Sequence, residues 1–261
     1  MDQLSQDQLA AYLARIGLTA APAHDLGGIE ALQRAHRRAI PFENLDIRLG
    51  RGVSLDPAAV FAKLVTHRRG GYCFEHNSLF ARVLATLGFV VRPVLGRVWL
   101  RAEGQVPPRT HHLNLVHWAG ADWIVDAGFG AGEAPLLRLA EGEEVSSNGI
   151  RHHLSRDADH GWMLMRGDVR QYSFIPAQVW PADLAQSNHW CMTAPDSRFV
   201  RSIILSRLGD DGLVALSDTH LSRDGATIEI ADAVGYRTVL AEEFGLALSD
   251  AEVCALGLFE A

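Results

Sequence analysis

The sequence contains almost no lysine and no excess of positive charge. Lys63 is the single lysine among 24 basic residues, and 31 acidic residues bring the formal net charge to −7. A general nucleic-acid-binding protein carries a basic face or stripe. The charge balance therefore argues against nucleic acid as a partner, and the missing lysine beside abundant alanine and glycine indicates codon bias.

Cysteine is also scarce, and long apolar runs are absent. Cys73, Cys191 and Cys254 are too few and too scattered for a disulfide framework, and an odd number leaves at least one thiol free. The stretch 1–17 lacks the apolar segment of a signal peptide, and no run of 18 apolar residues occurs that would span a membrane. These absences predict a soluble, cytoplasmic protein without a membrane partner.

Metal-binding patterns are missing as well. The histidines do not combine with cysteine or carboxylate at the spacing of a structural zinc site, and Cys73 with His76 lacks a second ligand pair nearby. We therefore expect no metal. What is present is an ordinary globular composition, 48% hydrophobic and 21% charged over 261 residues, enough for one large domain or two to three small ones.

Hydrophobic periodicity divides the chain into three sections. Helical patterns fill residues 1–89, alternating strand patterns dominate residues 90–197, and strands followed by helices fill residues 198–261. The predicted fold class is α+β, with an N-terminal helical bundle, a central antiparallel β-sheet or barrel and a C-terminal α/β lid. The three sections are expected to share one core.

Local start and stop signals place the individual elements. The predicted helices are 6–16, 29–39, 57–65, 73–87, 236–248 and 250–258. The predicted strands are 90–100, 111–118, 123–127, 162–166, 169–174, 198–208 and 213–216. The patterns are weaker beyond residue 183.

The segment 68–75 carries the clearest chemical signal. Two adjacent glycines permit backbone angles that other residues disfavour, and they bring Cys73 to the first turn of a helix. Unpaired backbone N–H groups and the positive helix end favour a thiolate there, and Arg68 and Arg69 add positive charge. A nucleophilic cysteine is one interpretation, and a small buried side chain at the start of a core helix is the other.

A thiolate needs a base, and strand geometry selects one. With a two-residue turn after Trp118, Asp126 lies opposite Leu113 and diagonal to His111, at about 7–8 Å by backbone geometry. His112 then points to the other face of the sheet. The pattern predicts His111 as the base, whereas an odd-length turn or a bulge would reverse the choice. A half-buried strand histidine with a local partner is the alternative.

Two further clusters have both a chemical and a plain interpretation. Glycines alternate around Phe129 in the segment 127–132, which is typical of a tight loop that a ligand approaches or of a generic turn. No helical pattern follows, so the loop is not a dinucleotide-binding fingerprint. Arg34, Arg37 and Arg38 are typical of a solvated helix face, with contacts to ligand phosphates as the alternative.

The sequence resembles arylamine N-acetyltransferases in four motifs, at the order and spacing of that family. They are Ile-Pro-Phe-Glu-Asn-Leu at 40–45, Arg-Gly-Gly-Tyr-Cys at 69–73, Thr-His at 110–111 and Val-Asp-Ala-Gly-Phe-Gly at 125–130. The resemblance implies that Cys73 is the acylated nucleophile, His111 its base and Asp126 the residue that orients the histidine. It implies a core like that of cysteine proteases and transglutaminases. The acceptor pocket would then be lined by Phe42, Tyr72, Thr110, Phe129 and Gly130.

The activity implied by the resemblance is a two-step acetyl transfer. Acetyl-CoA would be the co-substrate, without a tightly bound cofactor, and a small arylamine, arylhydrazine or N-hydroxyarylamine would be the acceptor. A positive cleft around arginines such as Arg68 or Arg69 is expected to receive the polyanionic CoA. The alternatives are an amide synthase, a Cys–His–Asp hydrolase or transglutaminase-like enzyme, and a protein that binds without turnover. A homodimer is left open.

Overall fold

Helices form the first section of the chain. The computed structural model describes residues 2–102, 104–147, 149–209, 212–223 and 225–259. Its first helices are α1 (Gln6–Arg15), α2 (Leu26–Ala39), α3 (Leu45–Arg48), α4 (Pro57–Phe61) and α5 (Cys73–Thr86). The predicted capping box starts α1, where the Gln8 N–H donates to Ser5 Oγ. The helix expected over 57–65 is divided, because α4 continues into a π-helical turn at Ala62–Thr66.

An eight-stranded, antiparallel and barrel-like sheet follows. Its strands are β2 (Val90–Val98), β3 (His111–Trp118), β4 (Ala121–Val125), β5 (Leu137–Arg138), β6 (Glu144–Ser147), β7 (Ile150–Asp157), β8 (Gly161–Arg166) and β9 (Val169–Phe174). Their spatial order is β5-β4-β3-β2-β9-β8-β7-β6. Both faces of β3 are buried, since Leu113 and Leu115 pack inside the sheet while Val116 packs against the helices.

A second, five-stranded sheet ties the C-terminal section to the N-terminal one. In spatial order its strands are β1 (Phe42–Glu43), β10 (Ile204–Leu208), β11 (Leu213–Ser217), β12 (His220–Arg223) and β13 (Ala226–Glu229). Helices α8 (Ala233–Phe244) and α9 (Asp250–Ala255) cover it. Because Phe42 pairs with Ser206, the C-terminal section reaches a motif of the helical section.

Parts of the element prediction are wrong. The strand expected over 198–208 begins instead as helix α7 (Arg198–Arg201), because Ser197 Oγ caps it by accepting from the Phe199 N–H at 3.3 Å. Helix α6 (Pro181–Thr193) was not predicted and lies where the sequence patterns weaken. Buried apolar side chains of the first two sections pack together, since Leu79 on α5 shares a cluster with Val116 and Val125, and the division into three sections stays a prediction.

The overall class is confirmed, since the structure combines helices with a barrel-like antiparallel sheet. Within the described ranges, no helix is long and apolar enough to cross a membrane. The candidate site lies where α5, β3 and β4 meet. Cys73 begins α5, His111 begins β3, and Asp126 directly follows β4.

Candidate active site

Backbone hydrogen bonds join the two motifs around Pro41 and Gly71. The Gly71 N–H donates to Pro41 O at 3.3 Å, and the Glu43 N–H donates to Gly71 O at 2.7 Å. A Cβ added to Gly70 would lie 2.1 Å from Pro41 O, so only glycine permits this approach. The bridge fixes the loop that leads into Cys73.

Charged side chains hold the same loop. Lys63 Nζ lies 2.8 Å from both the Asp46 and the Glu75 carboxylates. The Arg69 guanidinium lies 2.8 Å from Glu43 and 3.1 Å from Asp46. Burial raises the pKa of Glu75 to about 7, against the opposing charge of Lys63. Arg69 shares its charge with two carboxylates, and a contribution of Arg69 to a CoA cleft stays a prediction.

Arg68 lies elsewhere, in a groove of about 900 Å³ that it lines together with Arg34, Arg38 and Arg207. Arg37, the middle member of the arginine cluster on α2, is instead buried. The interpretation of the whole cluster as a solvated helix face is therefore wrong for Arg37. Contact between this groove and ligand phosphates stays a prediction.

Cys73 is the first residue of α5 and is buried, with a side chain that belongs to an apolar cluster. The Tyr72 N–H donates to Glu75 Oε2 at 3.0 Å, which closes the start of the helix. The N–H groups of Cys73 and Phe74 have no hydrogen-bond acceptor within the part of the chain that the structure describes. They are available to a ligand atom beside the sulfur.

The β3–β4 hairpin brings the predicted histidine and aspartate together. Its turn has two residues and Asn114 pairs with Val125, which is the register expected from the sequence. The prediction that His111 shares a face with Asp126 is confirmed, since His111 Nε2 lies 2.7 Å from Asp126 Oδ2. The Cys73 thiol lies near enough to His111 to contribute to the raised pKa of the histidine. The three side chains therefore lie next to one another in the order Cys73, His111, Asp126.

Electrostatics make His111 and Asp126 an ion pair at neutral pH. Burial alone lowers the pKa of His111, but the charge of Asp126 and hydrogen bonds to Asp126 and Cys73 outweigh burial and raise the pKa to about 10. Burial raises the pKa of Asp126, but the charge of His111 and its hydrogen bond bring that pKa below the usual value. Because Nε2 faces Asp126, Nδ1 is the ring nitrogen left for the sulfur.

Asn77, which sequence reasoning missed, connects the aspartate to the cysteine helix. Its Nδ2 donates to Asp126 Oδ1 at 2.8 Å and to His112 O at 2.6 Å, and its Oδ1 accepts from the Ala127 N–H at 3.0 Å. It lies one helical turn beyond Cys73 on α5, and this i, i+4 spacing is the signal that could have revealed it.

Helix α2 supports the loop that follows the aspartate. Gln33 Oε1 accepts from the Asp126 N–H at 2.9 Å, and Gln33 Nε2 donates to Ala134 O at 2.7 Å. Arg37 donates to Phe129 O at 3.0 Å and to Gly132 O. No pattern near these two α2 residues marks them for this role, because their partners lie about ninety or more positions away along the chain.

The glycine-rich loop passes very close to the nucleophile. A Cβ added to Gly128 would lie 2.7 Å from Asn77 Nδ2 and 2.9 Å from Cys73 Cα. A Cβ added to Gly130 would lie 2.6 Å from the Phe42 ring. The close approach expected from the alternating glycines is therefore present, and the contacts are with the protein itself.

The residues expected around an acceptor pocket lie near Cys73 in different ways. Phe42 and Tyr72 share its apolar cluster, and the Phe129 ring packs edge-on against His111 with 5.3 Å between centroids. Thr110 O lies 3.7 Å from Cys73 Sγ. Gly130 accepts a hydrogen bond from Ser206 Oγ at 2.6 Å. Tyr72 is fully buried and donates its hydroxyl to Asn188. Substrate contact stays a prediction for all five.

His112 occupies the opposite face of β3 from His111 and is fully enclosed. Burial and the neighbouring charge of His111 lower its pKa to about 4, so it is neutral at physiological pH. Among the described residues, no group of three or more histidine, cysteine or carboxylate side chains is placed to hold a metal ion. The catalytic role of Cys73, His111 and Asp126 stays a prediction.

A cysteine beside a histidine that a carboxylate orients is an arrangement suited to nucleophilic acyl chemistry. The chain matches the N-acetyltransferase family over residues 25–253. It is 36% identical to an arylamine N-acetyltransferase of Escherichia coli K12, over 92% of this chain and 89% of the relative.

Solved structures of related proteins support the same family assignment. The arylamine N-acetyltransferase of Salmonella typhimurium superposes with a TM-score of 0.90 at 32% identity, over 98% of this chain and all of that one. The Mycobacterium marinum enzyme in complex with CoA gives 0.87 at 32% identity, over 95% and 98% of the two chains. The protein is an acyltransferase. It belongs to the arylamine N-acetyltransferase family.

Proposed function

We propose that this chain transfers the acetyl group of acetyl-CoA, through a thioester on Cys73, to a small arylamine, arylhydrazine or N-hydroxyarylamine. The observation that carries the proposal is the row of Cys73, His111 and Asp126, which pairs a thiol with a charged histidine in a buried place. The CoA complex of the related Mycobacterium marinum enzyme supports the choice of donor.

In the first step, the Cys73 sulfur attacks the thioester carbonyl of acetyl-CoA. The His111 imidazolium gives its proton to the departing CoA sulfur, so the acetyl group moves to Cys73 and His111 becomes neutral. The N–H groups of Cys73 and Phe74 are the candidate donors to the tetrahedral oxyanion, because the described residues offer them no other acceptor.

In the second step, the amine attacks the acetylated Cys73. Neutral His111 accepts the amine proton as the Cys73 thiolate leaves, which restores the starting ion pair. Asp126 holds Nε2 and keeps Nδ1 free to take that proton, which makes it a positioning residue rather than a proton acceptor. Phe42 and Phe129 supply aromatic walls on which an aryl acceptor can pack.

Intact-protein mass spectrometry tests both steps. After incubation with acetyl-CoA alone, we expect an acetyl-sized gain on Cys73, and this gain should disappear on adding an aryl hydrazine while acetylated hydrazine forms. Cys73→Ser is nearly isosteric and should show no gain. Cys254→Ser, which alters an exposed thiol on α9, is the matched control and should behave like the wild type.

Two outcomes favour other functions. An acetyl group that persists after every aryl amine and hydrazine tried indicates another acceptor, such as the tethered amine of an amide synthase. If no mass gain appears although CoA binds, the protein uses a different acyl donor or binds without turnover.

The KM for acetyl-CoA should also rise with salt, since CoA is polyanionic. A KM that is independent of salt contradicts a positive CoA cleft.

A further inference from the structure

A second buried thiol lies close to the proposed nucleophile. Cys73 Sγ, at the start of α5, lies 3.7 Å from Thr110 O, and Cys191 Sγ, in the last turn of α6, lies 3.8 Å from the same oxygen atom. The sum of these distances, 7.5 Å, is the upper limit of the separation between the two sulfur atoms.

Such a separation is within reach of side-chain rotation. A cysteine side chain occupies one of three staggered χ1 positions, and a change of position moves its sulfur by roughly 3 Å. The two rotations together move the sulfur atoms by up to about 6 Å, which is the size of change that separates 7.5 Å from the roughly 2.05 Å of a disulfide bond. Both sulfurs belong to one apolar cluster, together with Tyr72 and Phe74, so no charged group has to be displaced between them.

The two thiols differ in reactivity. Burial and the neighbouring Cys73 raise the pKa of Cys191, so Cys191 stays a thiol in the resting protein. Cys73 sits beside the charged His111, and the thiolate is the form of a cysteine that peroxides oxidise. Cys191 has no role in the two transfer steps, although its sulfur lies close to the Cys73 sulfur that is acetylated in them.

We propose that Cys73 and Cys191 form an oxidative modification site, at which a hydroperoxide converts the pair to a reversible disulfide. The Cys73 thiolate attacks one peroxide oxygen, so that an S–O bond forms and the O–O bond breaks. The departing oxygen takes a proton from the His111 imidazolium and leaves as water or an alcohol, which leaves a sulfenic acid on Cys73. The Cys191 sulfur then attacks the Cys73 sulfur, the S–O bond breaks, and the Cys191 proton leaves with the hydroxyl as water.

The cross-link protects the nucleophile from irreversible loss. A sulfenic acid without a neighbouring thiol is oxidised further to sulfinic acid, which ordinary thiols do not reduce. The disulfide instead returns both thiols on reduction, so the enzyme is stopped under peroxide and restored afterwards. The proposal rests on the reactivity proposed for Cys73, but the cross-link is read directly by mass and does not depend on transferase activity.

The test compares four proteins: the wild type, Cys191→Ser, Cys191→Ala and Cys254→Ser. Each is treated with hydrogen peroxide, free thiols are blocked, and peptides are mapped without reduction. Dithiothreitol is then added, and the recovered activity is expressed relative to the same untreated variant. Cys254 is exposed and lies on α9, so its variant is the matched control for loss of a thiol elsewhere.

We expect a Cys73–Cys191 peptide in the wild type and in Cys254→Ser, with activity restored by dithiothreitol to at least half of the untreated value. Both Cys191 variants should lack the peptide, accumulate sulfinic acid on Cys73 and recover at least several-fold less activity. The proposal is overturned if the wild type carries sulfinic acid on Cys73 with Cys191 still blocked as a free thiol. Equal recovery in wild type and both Cys191 variants overturns it as well.

Discussion

Replacing Asp126 by asparagine should prevent His111 from taking a proton at the atom that faces Cys73, while leaving the fold intact. The Asp126 Oδ1 atom accepts from Asn77 Nδ2 and from the Gly128 N–H, and an amide oxygen satisfies both donors equally well. The new NH₂ group then faces His111 Nε2 and can only donate to it. His111 is thereby forced to carry its proton on Nδ1, which is the tautomer that cannot take a proton from the thiol or the amine.

The free energy that favours the charged form of His111 follows from its pKa. The folded value of about 10 exceeds the ordinary 6.5, and at about 1.36 kcal/mol per pH unit the difference corresponds to about 5 kcal/mol in favour of the imidazolium. Without the Asp126 charge, burial dominates and the histidine is neutral at pH 7. We therefore expect alkylation of Cys73 at pH 7 to be slower in the variant than in the wild type, because the charged histidine beside the sulfur is lost.

The assay is the rate of Cys73 alkylation by iodoacetamide between pH 5 and 9, with transferase turnover measured in parallel. Wild-type protein and the variant should show different rate–pH profiles, because only the wild type keeps a charged histidine beside the sulfur. Asp122→Asn is the matched control, because Asp122 pairs with His117 at 2.9 Å on the same hairpin but at an exposed site. Identical rate–pH profiles for wild type and Asp126→Asn would refute the reasoning.

Further predictions concern neighbouring residues. His111→Gln should abolish transfer, whereas His112→Gln should be much milder, measured as kcat/KM. Gly128→Ala should lower the free energy of unfolding by about 1–3 kcal/mol, because its Cβ would meet the cysteine backbone. Tyr12→Phe should cost about 1–3 kcal/mol, since it removes the hydroxyl that bonds His36 Nδ1 at 2.8 Å. Burial lowers the folded pKa of His36, so its contribution to stability is full above pH 6.5 and lost on acidification.

Each of these predictions has its own control and its own contrary outcome. Equal losses at both histidines would contradict the strand-face assignment. Gly132→Ala is the control for Gly128→Ala, because a Cβ at that position meets nothing within 4 Å, and similar unfolding energies for the two variants would count against the packing argument. Denaturant titrations at pH 7 and 5 check the histidine effect, and stability that does not fall on acidification would argue against buried neutral histidines.

The raised pKa of His111 makes stability depend on pH in the opposite direction from the lowered pKa of His36. A folded pKa above the unfolded 6.5 means that the ion pair with Asp126 contributes its full stabilisation below pH 6.5. This contribution is lost as pH rises through about 10. The wild type should therefore lose more stability between pH 7 and 10 than Asp126→Asn does, and urea titrations at both pH values measure the difference.

The hairpin shows how far local sequence can specify a site. Alternation along β3 and a two-residue turn were sufficient to put His111 and Asp126 on one face, because side chains alternate with a period of two and the turn sets the register. The glycines before Cys73 likewise indicated a helix start. These features depend on neighbours in the chain, and local patterns reveal them.

The supporting contacts could not be found in this way. Gln33 and Arg37 bind the loop after Asp126 across more than ninety positions, and Arg69 shares its charge with Glu43 and Asp46. A sequence pattern records which side chains are charged, but it does not record which partners the fold brings to them.

The sequence by itself determined the α+β class, the strand register of the hairpin and the three side chains of the candidate site. Each is encoded by periodicity, turn length or a short motif. Only the tertiary structure decided that Asn77 joins the helix to Asp126 and that Cys191 lies beside Cys73. These contacts join segments far apart in the chain, and their distances are set by packing, which no local pattern contains.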